Sequence, residues 1–271
     1  MKITVLGSGT CTSGIAGVEN RYPPGFLVDW DGEKLLLDCS ELIRTRIEQA
    51  GYSTSDIHHV AITHPHQDHC APIHFLQAVY VQGLWGGEKY KNKEMAFYAP
   101  DHIINGFMDM WRFHVPEMGD ELYPWPKLRL EKMSHAPEKI INIGSGRLSA
   151  RSVWHGHGRT DAVAFRLETP AGIVAYSGDT GVCDGIKEVA QNVDIFICEA
   201  SCQIGQSHGE KGYGHLNPFE AGMIALQAEV KKIILVHYTG LDKDDDVIQE
   251  CRRSGFAGEI VMGKDFQVFT I

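Results

Sequence analysis

The chain has 271 residues and a formal net charge of −10, a length that suits one large domain or two small ones. Its 43% hydrophobic and 22% charged residues are typical of a globular protein and exclude a fibrous or disordered chain. The acidic balance excludes a broadly basic surface for nucleic acid, although it allows a local basic patch.

The beginning of the chain predicts a cytoplasmic protein. MKITVLGSGT has no signal-peptide pattern, and no apolar run approaches the roughly 18 residues needed to span a membrane. The GSGT turn lacks the full dinucleotide or phosphate-loop pattern, so we predict no nucleotide cofactor. The seven cysteines include no CxxC pair, and we expect free thiols.

Short β-branched runs recur along the chain and predict strands. They are KITVLG, KLLLDC, HHVAITH, GIVAYSG, DIFICEA, KKIILVH and EIVMG. Helix-like stretches lie between them at 72–82, 185–191 and 218–229, and the first and last of these start with proline. This alternation, without repeats or linkers, predicts a single α/β domain over residues 1–271.

The region 83–135 is predicted to be an insertion. Its central part, 107–127, is rich in aromatic residues, Met and Pro and has no clean period. We expect either a packed irregular insertion or a lid over a pocket. The aromatic side chains of the region could also stack a base or pack a dimer interface.

Three histidines and an aspartate crowd together in the stretch THPHQDHC. The strand VAITH ends at His64, and side chains two apart in an extended segment point the same way, so His64 and His66 can face one metal ion. Asp68 and His69 follow in a turn and can face a second ion. Imidazole and carboxylate ligands suit Zn²⁺, and also Mn²⁺ or Fe²⁺.

Other strands end in further potential ligands. GIVAYSGD ends in Asp179, DIFICE in Glu199 and KKIILVH in His237, while SVWHGHG carries His155 and His157. One such residue alone would be weak evidence. Together with the histidine-rich stretch, the pattern predicts a dinuclear metal site.

HPHQDH resembles the HxHxDH signature of the metallo-β-lactamase fold. SGDT (177–180), CEAS (198–201), GHLNP (214–218) and LVHYTG (235–240) resemble the later motifs of its ribonuclease Z-like branch. The resemblance covers essentially the whole chain. It implies a four-layer αββα sandwich with two central mixed β-sheets, and two divalent metal ions, zinc first and manganese or iron as alternatives, with a bridging hydroxide.

The resemblance also implies roles for individual residues. One metal would be held by His64, His66 and a histidine from 155–158, the other by Asp68, His69 and His237, with Asp179 bridging both. In similar sequences an HG pair precedes a small–aromatic–Arg strand by about seven residues. His157 is seven residues before Ala164 and His155 nine, so we predict His157 as the ligand.

Three residues are predicted to be catalytic. In ribonuclease Z-like enzymes a histidine and a glutamate at the positions of His215 and Glu199 form a dyad, in which the carboxylate orients the imidazole that protonates a leaving alkoxide. Asp68 can bind metal and also hold or accept the proton of the attacking water.

These features predict a dinuclear metal-dependent phosphodiesterase acting on a small phosphodiester or short nucleic acid, with a possible homodimer. The interval from His157 to Asp179 is 22 residues, too short for the protruding arm of many transfer-RNA-processing relatives, and GHLN replaces their GHS(T). The alternatives are an RNA 3′-processing endonuclease, a hydrolase of another ester such as an arylsulfate or lactone, and a non-catalytic metal-binding relative.

Overall fold

The computed structural model describes residues 1–11, 20–87, 91, 93–134, 139–209 and 212–271. Its strands are β1 (Lys2–Gly7), β2 (Gly25–Trp30), β3 (Glu33–Leu37), β4 (His59–Ala61), β5 (Glu94–Ala99), β6 (Lys127–Lys132), β7 (Ile141–Ile143), β8 (Gly146–Ser152), β9 (Val163–Thr169), β10 (Gly172–Tyr176), β11 (Ile195–Glu199), β12 (Lys232–Val236), β13 (Glu259–Met262) and β14 (Val268–Thr270). Its helices are α1 (Ile43–Gln49), α2 (Pro72–Gly86), α3 (Asp101–His114), α4 (Asp184–Ala190), α5 (Pro218–Gln227) and α6 (Asp244–Arg252).

The strands form two seven-stranded sheets. The first has the order β14-β1-β2-β3-β4-β5-β6, and the second β13-β12-β11-β10-β9-β8-β7. Strands β3 to β6 run parallel, as do β10 to β13, whereas the other neighbours are antiparallel. Both sheets are therefore mixed, as the sequence predicted.

Alternating side chains create three hydrophobic layers. Ile3 and Val5 of β1 are buried against the second sheet, together with Ile234 and Val236 of β12. The residues between them in β12, such as Leu235, pack under helices α4 to α6 instead. A third cluster packs the first sheet against α1, α2 and α3. Because central strands such as β1, β11 and β12 bury both faces, the chain forms the predicted four-layer αββα sandwich.

The topology collects the carboxyl ends of several strands at one edge. Strands β10, β11 and β12 are parallel and in register, and β4 is one of the parallel strands of the other sheet. In open α/β sheets, ligands bind outside the carboxyl ends of such strands. Most of the predicted metal and catalytic residues lie at the ends of these strands or in the loops that follow them, whereas His155 and His157 follow β8.

The region 107–127 is more regular than the sequence suggested. Helix α3 runs from Asp101 to His114 and buries Ile103, Phe107 and Trp111, which are four residues apart along one face. The expectation of an irregular insertion was therefore wrong for its first half, and a 3₁₀ turn at Pro116–Met118 and a loop complete it. Residues 88–90, 92 and 135 of the wider insertion lie outside the described residues.

Helices α2, α4 and α5 cover the predicted helical stretches, and α2 continues beyond its predicted end to Gly86. Among the described residues, none of the helices combines the length and the apolar character that crossing a membrane would require.

Candidate metal centre

The loop after β4 carries four of the predicted side chains. The backbone amides of His69 and Cys70 both donate to the carbonyl oxygen of His66 at 2.9 Å, which closes a tight turn. His64 and His69 are fully buried, whereas His66 and Asp68 remain partly exposed. The cluster is therefore anchored in the protein interior and open on one side.

The first set of potential metal ligands consists of His64, His66 and His155, here called the His64 group. Nδ1 of His66 lies 3.1 Å from Nε2 of His64 and 3.2 Å from Nε2 of His155. Nitrogen ligands on a tetrahedral zinc ion, with bonds of about 2.0–2.1 Å, lie about 3.3 Å apart. Both of these nitrogen–nitrogen distances are close to the spacing of ligands on a tetrahedral ion.

The second set consists of Asp68, His69 and His237, here called the His237 group. Nε2 of His237 lies 3.2 Å from Nε2 of His69 and 3.4 Å from Oδ2 of Asp68. Imidazole and carboxylate donors converge here as they do in the first set. Both sets combine a residue from the loop after β4 with one from the second sheet.

Asp179 lies between the two groups. Its Oδ2 is 3.6 Å from Nε2 of His64, and its Oδ1 is 3.4 Å from Nε2 of His69. Oδ1 is buried and has no hydrogen-bond partner, which is costly for a carboxylate oxygen. A cation beside each oxygen would supply the missing interaction, so the donor set fits two divalent metal ions.

A network around Asp38 fixes two of the imidazoles. Oδ2 of Asp38 accepts hydrogen bonds from Nδ1 of His69 and from the hydroxyl of Tyr176, both at 2.6 Å. The backbone amide of Thr63 donates to Oδ1 at 2.7 Å, and the Thr63 hydroxyl lies 3.0 Å from Nδ1 of His64. With Nδ1 engaged, Nε2 of both His64 and His69 is left free to bind metal.

Sequence reasoning missed Asp38. The residue directly follows β3 and is fully buried. The run KLLLDC predicts a strand that ends in this acid, just as GIVAYSGD ends in Asp179. The same signal that singled out Asp179 and Glu199 was present here.

A second network surrounds Glu199 at the end of β11. Oε1 of Glu199 accepts hydrogen bonds from Nδ1 of His215 at 2.9 Å and from the backbone amide of Thr180 at 2.8 Å. Oε2 accepts from the Ser201 hydroxyl at 2.6 Å, and that hydroxyl in turn lies 2.6 Å from Nδ1 of His237. Glu199 therefore contacts the predicted acid directly and a candidate metal ligand through a serine.

The charge state of His215 follows from this contact. Burial alone would lower its pKa, but the neighbouring carboxylates, Glu199 first, raise the pKa to about 9. His215 is thus protonated at neutral pH. Its side chain keeps 17% of its surface exposed, which leaves the ring accessible to a bound molecule.

Burial alone would lower the pKa of His69, but the neighbouring carboxylates, Asp179 first, raise the pKa to about 10, so metal binding at this imidazole would displace a proton. Several other groups are already held in the protonation states that metal binding requires. Burial lowers the pKa of His64, of His66 and of His155, so that these imidazoles are neutral. Burial alone would raise the pKa of Asp179, but the surrounding imidazoles outweigh it and hold the pKa far below its usual range. This carboxylate stays ionised.

The structure places His155, and not His157, in the cluster. His155 is fully buried, and its Nδ1 lies 2.8 Å from the carbonyl oxygen of Gly214, which leaves Nε2 for the His64 group. His157 is exposed and belongs to none of the potential ligand groups among the described residues. The prediction of His157 was wrong because residues 156–158 form a left-handed turn that carries this side chain away.

Backbone constraints hold the two sheets close at the cluster. Gly178 of the SGDT motif has φ of 55°, and a Cβ there would lie 2.7 Å from Cβ of Thr63. Asp38 and His237 also have positive φ, at 58° and 52°. Non-glycine residues rarely adopt this conformation, and it is enriched at functional sites.

The sequence model of the beta-lactamase superfamily domain matches residues 33–238 of this chain. That span includes the metal cluster and most of both sheets. The chain therefore belongs to the beta-lactamase superfamily, as the resemblance of HPHQDH implied.

Within this superfamily, the chain is 25% identical to a ribonuclease Z of Thermobifida fusca, over 97% of this chain and 92% of the relative. Its fold matches the crystal structure of the metallo-beta-lactamase fold protein YhfI from Bacillus subtilis with a TM-score of 0.79 at 22% identity, covering 99% and 98% of the two chains. It also matches a diphosphatase from the PhnP family with a TM-score of 0.72 at 18% identity, covering 100% and 98%.

Proposed function

We propose that this protein is a dinuclear metal-dependent phosphodiesterase. One divalent ion would be held by the His64 group and the other by the His237 group, with Asp179 beside both. The mixed imidazole and carboxylate donors favour zinc, with manganese or iron as alternatives. When bound, the two ions supply a nucleophile at neutral pH and stabilise charge on the phosphoryl oxygens.

The observation that carries the proposal is the contact between His215 and Glu199 beside the cluster. Nδ1 of His215 is held by the carboxylate at 2.9 Å, and the same ring lies 4.0 Å from Oδ2 of Asp179. An imidazolium in this place can protonate a departing alkoxide, which is a poor leaving group without an acid. Asp68, at the exposed side of the cluster, would bind metal and hold the proton of the attacking water.

The decisive experiment measures hydrolysis of bis(p-nitrophenyl) phosphate by protein loaded separately with Zn²⁺, Mn²⁺ or Fe²⁺, beside a chelated sample. We expect metal-dependent turnover. Fully loaded protein that hydrolyses no phosphodiester but cleaves an arylsulfate or a lactone would contradict the proposal. Retained turnover in a variant with both Asp68→Ala and Asp179→Ala would exclude the metal cluster as the catalytic site.

The acid role of His215 has its own test. A His215→Ala variant should lose far more rate on a dinucleotide, whose leaving group is an alkoxide, than on bis(p-nitrophenyl) phosphate, whose nitrophenolate needs no proton. General acid catalysis contributes roughly 10²–10⁴-fold, which sets the expected difference. Equal losses on both substrates would remove this role from His215.

The second candidate function is RNA 3′-end processing, because a relative that aligns over nearly the full chain is a ribonuclease Z. The chain between His155 and Asp179 consists of a 3₁₀ turn and the hairpin of β9 and β10, without a protruding arm. We therefore favour a smaller substrate. Efficient removal of a 3′ trailer from precursor transfer RNA, with dinucleotides left intact, would reverse this preference.

A further inference from the structure

A cavity of about 430 Å³ lies beside the metal cluster on the side of helices α2 and α3. Ligand pockets in proteins typically measure about 300–1,000 Å³, so this one has room for a small organic group. It is lined by Pro65 and Gln67 from the loop after β4, by His74 from α2, and by Met110 and His114 from α3.

The cavity and the metal cluster share one wall. Pro65 and Gln67 alternate along the chain with His64, His66 and Asp68, which belong to the cluster. The cavity therefore borders the loop that carries these three potential ligands. A molecule bound at the cluster would reach the cavity over the outer side of this loop, where Gln67 is exposed and His66 and Asp68 are half-buried.

The lining selects against a negatively charged group. Among the described residues that line the cavity there is no lysine or arginine, and the one charged side chain is the carboxylate of Glu41. The rings of His74 and His114 meet edge to face at 4.8 Å, and burial, followed by the charge of His74, lowers the pKa of His114. A phosphate chain such as an RNA backbone would find no cation here.

The same lining suits a flat, uncharged heterocycle. Ile103 and Met110 offer apolar and polarisable surface, and the imidazoles of His74 and His114 offer aromatic faces and edges for stacking. The Glu41 carboxylate can accept a hydrogen bond from an amino group at the rim. This combination of apolar side chains, imidazole rings and a few polar groups suits base recognition.

We infer that this cavity binds the planar, uncharged arm of a small phosphodiester, an amino-bearing nucleobase, while the phosphate lies at the metal cluster. The inference rests on the proposed phosphodiesterase function and narrows its substrate to nucleoside phosphodiesters.

Gly106 on α3 provides a direct test. It lines the cavity, and a Cβ added there would meet nothing within 4 Å. Replacing a helical glycine also favours the helix. Gly106→Phe should therefore fill the cavity without disturbing the fold, and Gly106→Leu is a smaller alternative. Asn105→Phe is the matched control, because Asn105 is exposed on the same helix and does not line the cavity.

Two substrates with the same leaving group isolate the cavity from the chemistry. They are adenosine 5′-(p-nitrophenyl) phosphate and methyl p-nitrophenyl phosphate, assayed with the metal-loaded full chain. We expect kcat/KM to favour the adenosine ester by roughly tenfold or more, in line with the strength of base stacking on aromatic side chains. Gly106→Phe should bring this ratio close to one and leave the methyl ester unchanged, whereas Asn105→Phe should keep it.

The outcomes separate the two proposals. Turnover of both esters with a wild-type ratio near one, or a ratio that neither Gly106 variant changes, would overturn the inference and leave the phosphodiesterase proposal intact. If neither ester is hydrolysed, calorimetric binding of adenosine decides. Binding that is lost in Gly106→Phe and kept in Asn105→Phe supports the cavity as a base site, and no binding to the wild type overturns it.

Discussion

Asp38 and Glu199 use the same local arrangement in the two halves of the molecule. Each is a buried carboxylate at the end of a strand, and each contacts one imidazole directly and a second one through a hydroxyl. Asp38 reaches His69 directly and His64 through Thr63. The Glu199 network links His215 and, through Ser201, His237.

The two networks differ in what their imidazoles face. Both imidazoles of the Asp38 network are fully buried and belong to the two ligand groups. In the Glu199 network, His215 keeps part of its surface exposed beside the cluster. The same arrangement therefore orients two buried potential ligands in the first half, and one potential ligand, His237, beside the partly exposed His215 in the second half.

The largest expected effect is that of Asp38→Asn. The amide cannot accept all the hydrogen bonds from His69, Tyr176 and Thr63, so both ligand groups lose their support. We expect metal affinity to fall by roughly 10–100-fold and the free energy of unfolding by more than about 2 kcal/mol. Metal content by elemental analysis and denaturant unfolding measure both. Full metal content at equal stability would show that Asp38 supports neither group.

Glu199→Gln should separate catalysis from metal binding. We expect both ions to be retained, while kcat on a dinucleotide falls by roughly a hundredfold. Glu199 raises the pKa of His215, and an acid works only below its pKa. On raising the pH, the variant should therefore lose activity earlier than the wild type, so that the alkaline limb of its kcat–pH profile lies at lower pH. An unchanged alkaline limb would contradict the pairing.

Removal of the Thr63 or the Ser201 hydroxyl is expected to have a smaller effect on metal affinity, and the two variants form a matched pair. Thr63→Val and Ser201→Ala each remove the link between a carboxylate and a ligand imidazole. Loss of such an outer partner typically costs about tenfold or more in metal affinity or activity. Competition with a chelator should show weaker binding at the His64 group in the first variant and at the His237 group in the second. Equal affinities in both variants and the wild type would make the hydroxyls dispensable.

His157→Ala should have the smallest effect. Its side chain is exposed, so metal content and kcat are expected to stay within about twofold of the wild type, as for most surface substitutions. His155→Ala is the reference, because it removes a buried nitrogen from the His64 group and should lose an ion per chain. The reverse pattern would restore His157 as the ligand.

The resemblance of HPHQDH and the later motifs implied the sandwich, and potential ligands at strand ends predicted most of the cluster. The choice between His155 and His157 depended on local backbone. In an extended chain both side chains point the same way, so spacing alone could not separate them. The actual turn has φ of 57°, 56° and 71° at residues 156–158, and a left-handed histidine between glycines is not predictable from residue type.

Helix α3 was missed for a different reason. Its buried residues Ile103, Phe107 and Trp111 follow a regular helical spacing. The aromatic-rich segment 107–127 begins inside this helix, so the first residues of the helix lie outside the segment. The helical period is then obscured by the prolines and aromatic residues further along. Asp38 was missed although its signal was the same as that of Asp179.

The donors of each ligand group come from both sheets, and this has a thermodynamic consequence. The loop after β4 belongs to the first sheet, whereas His155, Asp179 and His237 follow strands of the second. Ions bound there would cross-link two halves that unfolding separates. Each site held at a free metal concentration of 100 Kd would add about 2.7 kcal/mol to the free energy of unfolding. The melting temperature should therefore rise with metal concentration, because metal bound at the cluster would stabilise the packing of one sheet on the other.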